Sequence, residues 1–310
     1  MQVAVIGAGA VGSYFGGMLA RAGGPVTLIG RAAHVDAIRR NGLQIERSGE
    51  AERIAIQATT DLASVARSNL ILFCTKSFDT ADTAAAIAPY LSPAALILSM
   101  QNGVDNVERI HAATGAATAA AVVYVAVSLP ALGLVRHAGR GDLVIGFLPG
   151  AGLPESRERP SLEAVARQFE IAGVPCRLAA DVRGELWAKL TLNCAYNALS
   201  AIGRTRYGEL VASAEVRDFM VRIVTEVVAV ARASGIELSL TDLTDATFRL
   251  GENMAGATSS TAQDLARGKR TEIDALNGFI VSQGEKLGVA TPCNRAMYIA
   301  VKLLECSTSA

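Results

Sequence analysis

The opening of the chain constrains its fold more than any other stretch. Gln2-Val3-Ala4-Val5-Ile6 is a short apolar run rich in β-branched residues, the pattern of a buried strand. It passes directly into Gly7-Ala8-Gly9-Ala10-Val11-Gly12, the G-x-G-x-x-G spacing. A helix is expected from about Val11 to Ala22, stopping at Gly23-Gly24 before a second apolar strand, Pro25-Val26-Thr27-Leu28-Ile29. In that strand–loop–helix–strand setting each glycine has its own task. Gly7 allows the tight turn off the strand, Gly9 lets the backbone approach a pyrophosphate, and Gly12 lets the helix lie close to the sheet. The helix start presents N–H groups and the positive end of its dipole to the phosphates. The expected ligand is a dinucleotide held by Gly7, Ala8, Gly9, Ala10, Val11 and Gly12; the alternative is a tight turn with a structural role only.

The residue after the second strand selects the cofactor. An acid there accepts from the ribose 2′-OH of NAD. This chain has Gly30-Arg31 and no acid before Asp36. A guanidinium forks onto a phosphate, so NADPH (NADP+) is expected, with Arg31 on its 2′-phosphate. An ordinary surface arginine is the alternative.

At 310 residues the chain can bury two cores. A formal net charge of zero argues against nucleic-acid partners, which require a basic surface. The apolar N-terminus lacks a basic region ahead of it and does not read as a signal peptide. The Ala-rich stretch from Ala112 to Val127 is interrupted by Thr118 and Tyr124 and falls short of a membrane span. Cys74, Cys176, Cys194, Cys293 and Cys306 are scattered, without C-x-x-C. They suit reduced thiols in a cytoplasmic protein rather than a disulfide framework or a zinc site. The three histidines, His34, His111 and His137, have no neighbours at metal or nucleophile spacing and read as structural or exposed.

Further along, a helix is expected over about Ala33–Arg40, and Leu43–Ile45 with Arg53–Ile56 reads as a hairpin-like excursion. Leu70–Cys74 and Ala95–Ser99 are fully apolar strands, and a helix from Asp79 to Ala88 lies between them. This alternation predicts a mostly parallel, doubly wound α/β sheet. Ligands of such sheets sit at the carboxyl ends of the strands, which draws attention to Thr75-Lys76-Ser77 and Gln101-Asn102-Gly103. Strands are expected at Val122–Val127, Leu134–His137 and Asp142–Gly146, then a proline-rich loop over Gly150–Pro160. A helix at Leu162–Ala172 and a strand at Val174–Leu178 close the first domain, 1–179. From 180 to 310 only helical periodicity remains, at about Val182–Ile202, Ala214–Ala233, Leu243–Ala255, Thr258–Ala266, Thr271–Leu287 and Pro292–Leu304.

Two stretches of this helical half carry polar groups of interest. Lys189, Asn193 and Asn197 are spaced four and four, so one helix face holds them in a row. Such a row is either a solvent-facing stripe or a set of buried polar groups that need partners. In Thr271-Glu272-Ile273-Asp274, Thr271 reads as an N-cap with both acids in the first helical turn, where complementing the macrodipole is reason enough for them.

The chain resembles the ketopantoate reductase (2-dehydropantoate 2-reductase) family along nearly its whole length. The resemblance is carried by Gly7–Gly12, Arg31, Lys76, Asn102-Gly103, Glu185-Leu186-Trp187-Ala188-Lys189-Leu190-Thr191-Leu192-Asn193, Gly208-Glu209-Leu210, Ser259-Ser260, Gln263-Asp264 and Thr271-Glu272-Ile273-Asp274 followed by Asn277-Gly278. It implies a Rossmann-type domain followed by an all-α domain like that of 6-phosphogluconate dehydrogenase, with the site between them. It also implies NADPH-dependent reduction of 2-dehydropantoate to (R)-pantoate, on the way to pantothenate and coenzyme A. By the same resemblance Lys189 is the general acid and Glu272 the catalytic-site carboxylate. Asn193, Asn197 and Ser260 hold the substrate, and Asn102 and Lys76 serve the cofactor side.

These residue types suit the chemistry. Reduction of a carbonyl builds an alkoxide, and a lysinium both stabilises it and supplies the proton. Glu272 could hold the substrate hydroxyl or keep Lys189 charged and aimed. The sequence departs from the family pattern at Tyr207, where asparagine is frequent, and around the paired serines, where it reads Gly256-Ala257-Thr258 and Thr261-Ala262. The resemblance places those positions at or near the substrate pocket. Alternatives are therefore the same chemistry on another small branched 2-oxo acid, or a non-catalytic NADP(H) sensor. The expected partner is a small molecule, with no nucleic acid and no membrane. A homodimer is compatible with the chain, whose residues do not specify an oligomeric state.

Overall fold

The structure, a computed structural model, describes residues 1–149 and 160–308. The loop expected from Gly150 to Pro160 falls, over 150–159, outside the described residues. Backbone contacts divide the chain into two compact units. One comprises Met1–Gln101 with Asp105–Val182, the other Asn102–Val104 with Arg183–Ala310.

Among the described residues the first unit contains ten strands in one sheet: β1 Val3–Ile6, β2 Val26–Ile29, β3 Leu43–Arg47, β4 Glu50–Ile54, β5 Gln57–Thr59, β6 Leu70–Phe73, β7 Leu96–Ser99, β8 Ala117–Ala131, β9 Leu134–Gly146 and β10 Cys176–Leu178. Its helices are α1 Ala10–Arg21, α2 Ala32–Asn41, α3 Thr80–Ile87, α4 Asn106–Thr114 and α5 Leu162–Ile171. The strands lie in the order β4-β3-β9-β8-β7-β6-β1-β2-β5, with β10 beside β9. From β5 to β8 every pairing is parallel. With the antiparallel β3–β4 hairpin, β9 and β10 set aside, this is the 3-2-1-4-5-6 order of a Rossmann-type sheet, and the order reverses between β1 and β6.

Alternation along the strands explains why both faces are covered. Val3, Val5, Leu70 and Leu72 point to the face packed by Phe15, Met18 and Leu19 of α1 and Phe169 of α5. Ala4, Ile6, Ile71 and Phe73 point to the other, where Ala84 and Ile87 of α3 and Ile110 of α4 cover them. β8 and β9 form a long antiparallel hairpin with register shifts at Tyr124/Val125, Ala126/Val127 and Ser128/Ala131. The separate strands expected at Leu134–His137 and Asp142–Gly146 are one strand, β9. Arg140 and Gly141, with φ of 54° and 139°, absorb the irregularity without ending the pairing.

The second unit contains α6 Val182–Gly203, α7 Tyr207–Ala212, α8 Ala214–Ala233, α9 Leu240–Asn253, α10 Ser260–Ala266, α11 Asn277–Leu287 and α12 Pro292–Thr308. Tyr196 of α6, Leu210 of α7, Met220, Val224 and Val228 of α8 and Leu243 of α9 share its core. The six-residue α7 is an addition to the expected elements; a helix of that length is too short to show a period. The continuous helix expected over Thr271–Leu287 is interrupted. A 3-10 turn, Ile273–Ala275, is followed by Leu276 at φ −109°, ψ −107°, and α11 begins only at Asn277. The bonds Ala275 N to Glu272 O (2.9 Å) and Leu276 N to Ile273 O (3.2 Å) close three-residue turns, so the segment never enters α-helical bonding.

Candidate functional site

In the sheet unit the glycine loop leaves β1 and starts α1. Gly7 has φ +88°, and a Cβ there would lie 2.7 Å from the Cys74 carbonyl carbon and the Thr75 nitrogen. A Cβ on Gly12 would lie 2.4 Å from Gly7 O and 2.9 Å from Val5 Cγ1. The fold itself demands both glycines. Gly9 differs, because a Cβ there would meet nothing nearer than Gly7 O at 4.0 Å. The space above Gly9 is open to a bound group, which is how a pyrophosphate comes close to this loop. The N–H groups of Gly7 and Ala8 both donate to Ile29 O at 3.0 Å, which pins the loop to β2. Bonding within α1 begins at Ser13 N to Gly9 O, 2.9 Å, so the N–H groups of Ala10, Val11 and Gly12 are not used inside the helix. No acid in the first turn of α1 opposes an anion. The residues present therefore fit a dinucleotide.

Arg31 is exposed and stands at the N-cap of α2, two residues beyond Ile29, which is in register with Ile6 of β1. Beneath it His34 is buried: its Nδ1 accepts from Gly133 N at 3.1 Å, so the ring proton is on Nε2, 3.1 Å from Ser13 Oγ. Burial first, and the Arg31 charge second, hold the imidazole below its ordinary value. At the end of β6, beside the reversal in strand order, Lys76 is half-buried. The loop that carries it is tied down by Gln101, which donates from Nε2 to Thr75 O at 3.1 Å and to Thr80 Oγ1 at 2.8 Å. Arg109 Nη1 adds a bond to Ser77 O at 3.0 Å. Its strand-end position marks the Gln101-Asn102-Gly103 stretch, but nothing in the sequence pattern shows that Gln101 ties this loop, since Thr75 and Thr80 belong to other segments.

In the helical unit α6 aligns Lys189, Asn193 and Asn197 as their spacing predicts. The first two are half-buried and Asn197 is only 3% exposed. The other side of the helix is core: Leu190 is buried, and Trp187 meets Phe279 edge-on at 5.8 Å. Lys189 Nζ donates to Asn102 Oδ1 at 3.1 Å, and Asn102 Nδ2 donates to Glu272 Oε2 at 3.3 Å. An ammonium, an amide and a carboxylate thus stand in sequence, and the charges at either end fix which way the amide points. Asn102–Val104 groups with this unit, although its chain neighbours belong to the sheet unit. Glu272 is buried and precedes a 3-10 turn, so it is not in the first turn of an α-helix. A helix macrodipole therefore does not account for an acid at this position, and its burial beside a polar partner needs another reason.

The paired serines have different surroundings. Ser260 is exposed at the first position of α10. Ser259 is fully buried; its Oγ accepts from Ala262 N at 3.0 Å as the N-cap and donates to Asn197 O at 3.0 Å. Asn197 as a residue is buried, and none of the side-chain hydrogen bonds among the described residues uses its amide, whose atoms are not cut off from solvent, so that amide is suited to meet a ligand. Tyr207 packs its ring 4.4 Å from that of Tyr196, whose hydroxyl donates to Thr247 O at 2.6 Å. Burial pushes the Tyr207 phenol up to about 12.

All five cysteines are free thiols, and no group of three or more metal-ligating side chains occurs among the described residues. His111 Nδ1 donates to Ala116 O, and His137 stacks on Tyr14 at 4.7 Å. No helix among the described residues is long and apolar enough to cross a membrane.

The descriptions of two families match the chain: ketopantoate reductase PanE/ApbA over residues 3–150, and its C-terminal counterpart over residues 181–305. The 2-dehydropantoate 2-reductase of Pyrococcus horikoshii is 33% identical over 305 residues, 98% of each chain. That of Vibrio cholerae is 31% identical over 313 residues, 100% of this chain and 99% of its own. Among solved structures, a PanE/ApbA family ketopantoate reductase from Ralstonia eutropha JMP134 superimposes with a TM-score of 0.91 at 47% identity, covering all of both chains. A ternary structure of D-mandelate dehydrogenase with NADH and anilino(oxo)acetate gives 0.92 at 25% identity, again over both full chains.

Proposed function

The chain belongs to the ketopantoate reductase PanE/ApbA family, and from that premise we propose that it is an NADPH-dependent reductase that converts 2-dehydropantoate to (R)-pantoate. The observation that carries the proposal is the Lys189–Asn102–Glu272 sequence of hydrogen bonds, because binding a dinucleotide alone requires neither Lys189 nor Glu272. The same observation weighs against a non-catalytic NADP(H) sensor.

NADPH bound at the Gly7–Gly12 loop supplies the hydride that the reduction needs. Arg31 recognises its 2′-phosphate through the guanidinium fork, and Lys76 adds a second positive charge at the neighbouring strand end. Lys189 Nζ donates to the substrate carbonyl oxygen, stabilises the charge that builds there and passes a proton to it. Asn102, through its Oδ1, keeps the ammonium aimed while it does so. Glu272 accepts from Asn102 and completes the charge balance, which favours the ionised lysine. Asn193 and Asn197 offer amides along the same helix face, and Ser260 a hydroxyl, to the carboxylate and hydroxyl of the substrate.

A second reading keeps the chemistry and changes the acid. The packing of Tyr207 on Tyr196 puts aromatic bulk where the family often has asparagine, and the likeness to D-mandelate dehydrogenase extends over the whole chain. Both favour another 2-oxo acid, branched or aromatic. The test is oxidation of NADPH, and separately of NADH, with 2-dehydropantoate and a panel of 2-oxo acids. Formation of pantoate supports the first reading, turnover of other acids alone selects the second, and binding of NADPH without turnover of any acid overturns both.

A further inference from the structure

The carboxylate of Glu272 sits on a segment that the fold treats unusually. Thr271, Glu272, Ile273 and Leu276 are all buried, yet the only regular structure between them is a single 3-10 turn. Buried backbone outside helices and sheets must find its hydrogen-bond partners elsewhere. Here they come from α12. The Glu305 carboxylate receives both the N–H and the hydroxyl of Thr271 on one oxygen, each at 2.7 Å. The Thr271 hydroxyl oxygen in turn accepts from Ile273 N at 3.2 Å, which opens the 3-10 turn.

A second attachment lies two residues beyond Glu272. Asp274 accepts from the Tyr298 hydroxyl at 3.0 Å on one oxygen, and from Lys302 Nζ at 3.3 Å and Arg270 Nη2 at 3.1 Å on the other. Lys302 also pairs with Glu305 at 2.9 Å. Tyr298, Lys302 and Glu305 follow one another at spacings of four and three, so they share one face of α12. Beneath them Ile273 packs with Ala198 of α6 and Val301 of α12. The backbone is therefore held immediately before Glu272, at Thr271, and again at Asp274.

We propose that Glu305 is a positioning residue for the reaction, fixing the Thr271 backbone so that the Glu272 carboxylate is aimed at Asn102, with the Tyr298–Asp274 contact as a second anchor. The interactions are poorly suited to a role in stability alone. The Asp274 ion pairs are a third or more exposed on both sides, where such pairs contribute little. The Glu305 side chain, by contrast, is only 12% exposed, and its Oε1 receives one backbone N–H and one hydroxyl while Oε2 pairs with Lys302. A charged acceptor for a buried backbone donor is among the stronger hydrogen bonds, and it leaves the segment little freedom. Burial by itself would raise the Glu305 carboxyl, but the bonds from Lys302 and Thr271 and the Lys302 charge bring it below its ordinary value, so it accepts as a carboxylate at neutral pH.

The inference rests on the proposed reductase activity, and the test separates the two. Glu305→Ala, Glu305→Gln and Tyr298→Phe are compared with the wild type in kcat and KM for the 2-oxo acid turned over, NADPH Kd, melting temperature and hydrogen exchange of the segment 270–277. In Glu305→Ala, kcat is expected to fall on the order of 10–100-fold, the scale of small misplacements at a reacting centre, with NADPH Kd unchanged. Glu305→Gln keeps an oxygen for Thr271 and is expected to recover most of that loss. A folded Glu305→Ala with wild-type kcat overturns the proposal, and so does a Gln variant as impaired as the Ala variant. Where Glu305→Ala does not fold, Tyr298→Phe decides: a lowered kcat at unchanged NADPH Kd supports the second anchor, and an unchanged kcat overturns it. A wild type that reduces no 2-oxo acid overturns the reductase reading instead. The anchor is then judged by exchange alone, faster over 270–277 in Glu305→Ala if it holds and unchanged if it does not.

Discussion

Asn102 Nδ2 lies 3.3 Å from Glu272 Oε2, a hydrogen bond between residues 170 positions apart, and the other end of the same amide receives Lys189 Nζ. A neutral side chain therefore hydrogen-bonds both charged ones, and its orientation follows from theirs. Asn102→Leu keeps the approximate volume and removes both bonds. It is expected to lower kcat about 10–100-fold, the loss of one to two charge-assisted hydrogen bonds. Steady-state kinetics with NADPH binding measured separately gives the answer; a loss of NADPH affinity at constant kcat would place Asn102 with the cofactor instead.

Lys189→Ala is expected to lower kcat by about 10²–10⁴-fold, the usual contribution of a positioned acid. NADPH binding, followed by fluorescence titration, should be nearly retained. Turnover close to wild type in this variant contradicts its role as proton donor.

Arg31 is exposed at the tip of β2. Arg31→Ala should cost ~1.5–3 kcal/mol of NADPH affinity and leave NADH affinity nearly unchanged, because only the 2′-phosphate is lost as a partner. Calorimetric titration with both nucleotides checks this, and equal losses would remove Arg31 from the phosphate site.

The two adjacent serines should separate stability from binding. Ser259→Ala removes an N-cap and the bond to Asn197 O, and should destabilise the protein by about 1 kcal/mol or somewhat more. Ser260→Ala removes an exposed hydroxyl and should leave the melting temperature in place while raising KM for the 2-oxo acid. Thermal denaturation and kinetics on the same preparations distinguish the two; the reverse pattern would exchange their roles.

His34 gives a pH dependence with a definite sign. Its folded-state value lies below the ordinary 6.5, so the unfolded chain binds the proton more readily. Stability from the neutral ring is complete above 6.5 and is lost as the pH falls from there through the folded value. A protonated ring would also turn Nδ1 from an acceptor into a donor facing Gly133 N–H. Melting temperatures should drop on acidification in the wild type and less steeply in His34→Gln. Parallel slopes for the two proteins would assign the effect to other groups.

The nucleotide half of this protein was readable from its residues because its determinants are local. The positive φ of Gly7 and the approach of Gly12 to Gly7 O and Val5 arise within the first dozen residues, although the backbone that a Gly7 Cβ would strike, at Cys74 and Thr75, comes from the end of β6. Arg31 comes two residues after its strand, and the face shared by Lys189, Asn193 and Asn197 follows from the helical period alone. Periodicity also read straight through Thr271–Leu287, since nothing within that stretch shows that its first N–H is taken by Glu305, 34 residues later. It likewise left Ser259 indistinguishable from Ser260, because the partner that buries Ser259 is the carbonyl of Asn197.

The sequence by itself thus determined the strand order's raw material, the glycine loop, the exposed arginine beyond β2 and the helix face that holds the lysine. Each of these is a matter of chain neighbours, φ/ψ preference and side-chain period. Tertiary structure alone decided that one asparagine hydrogen-bonds both Lys189 and Glu272, and that Glu272 sits in an irregular buried turn instead of a helix. Those outcomes depend on hydrogen bonds between residues 34 to 170 positions apart, and such bonds exist only after the chain has packed.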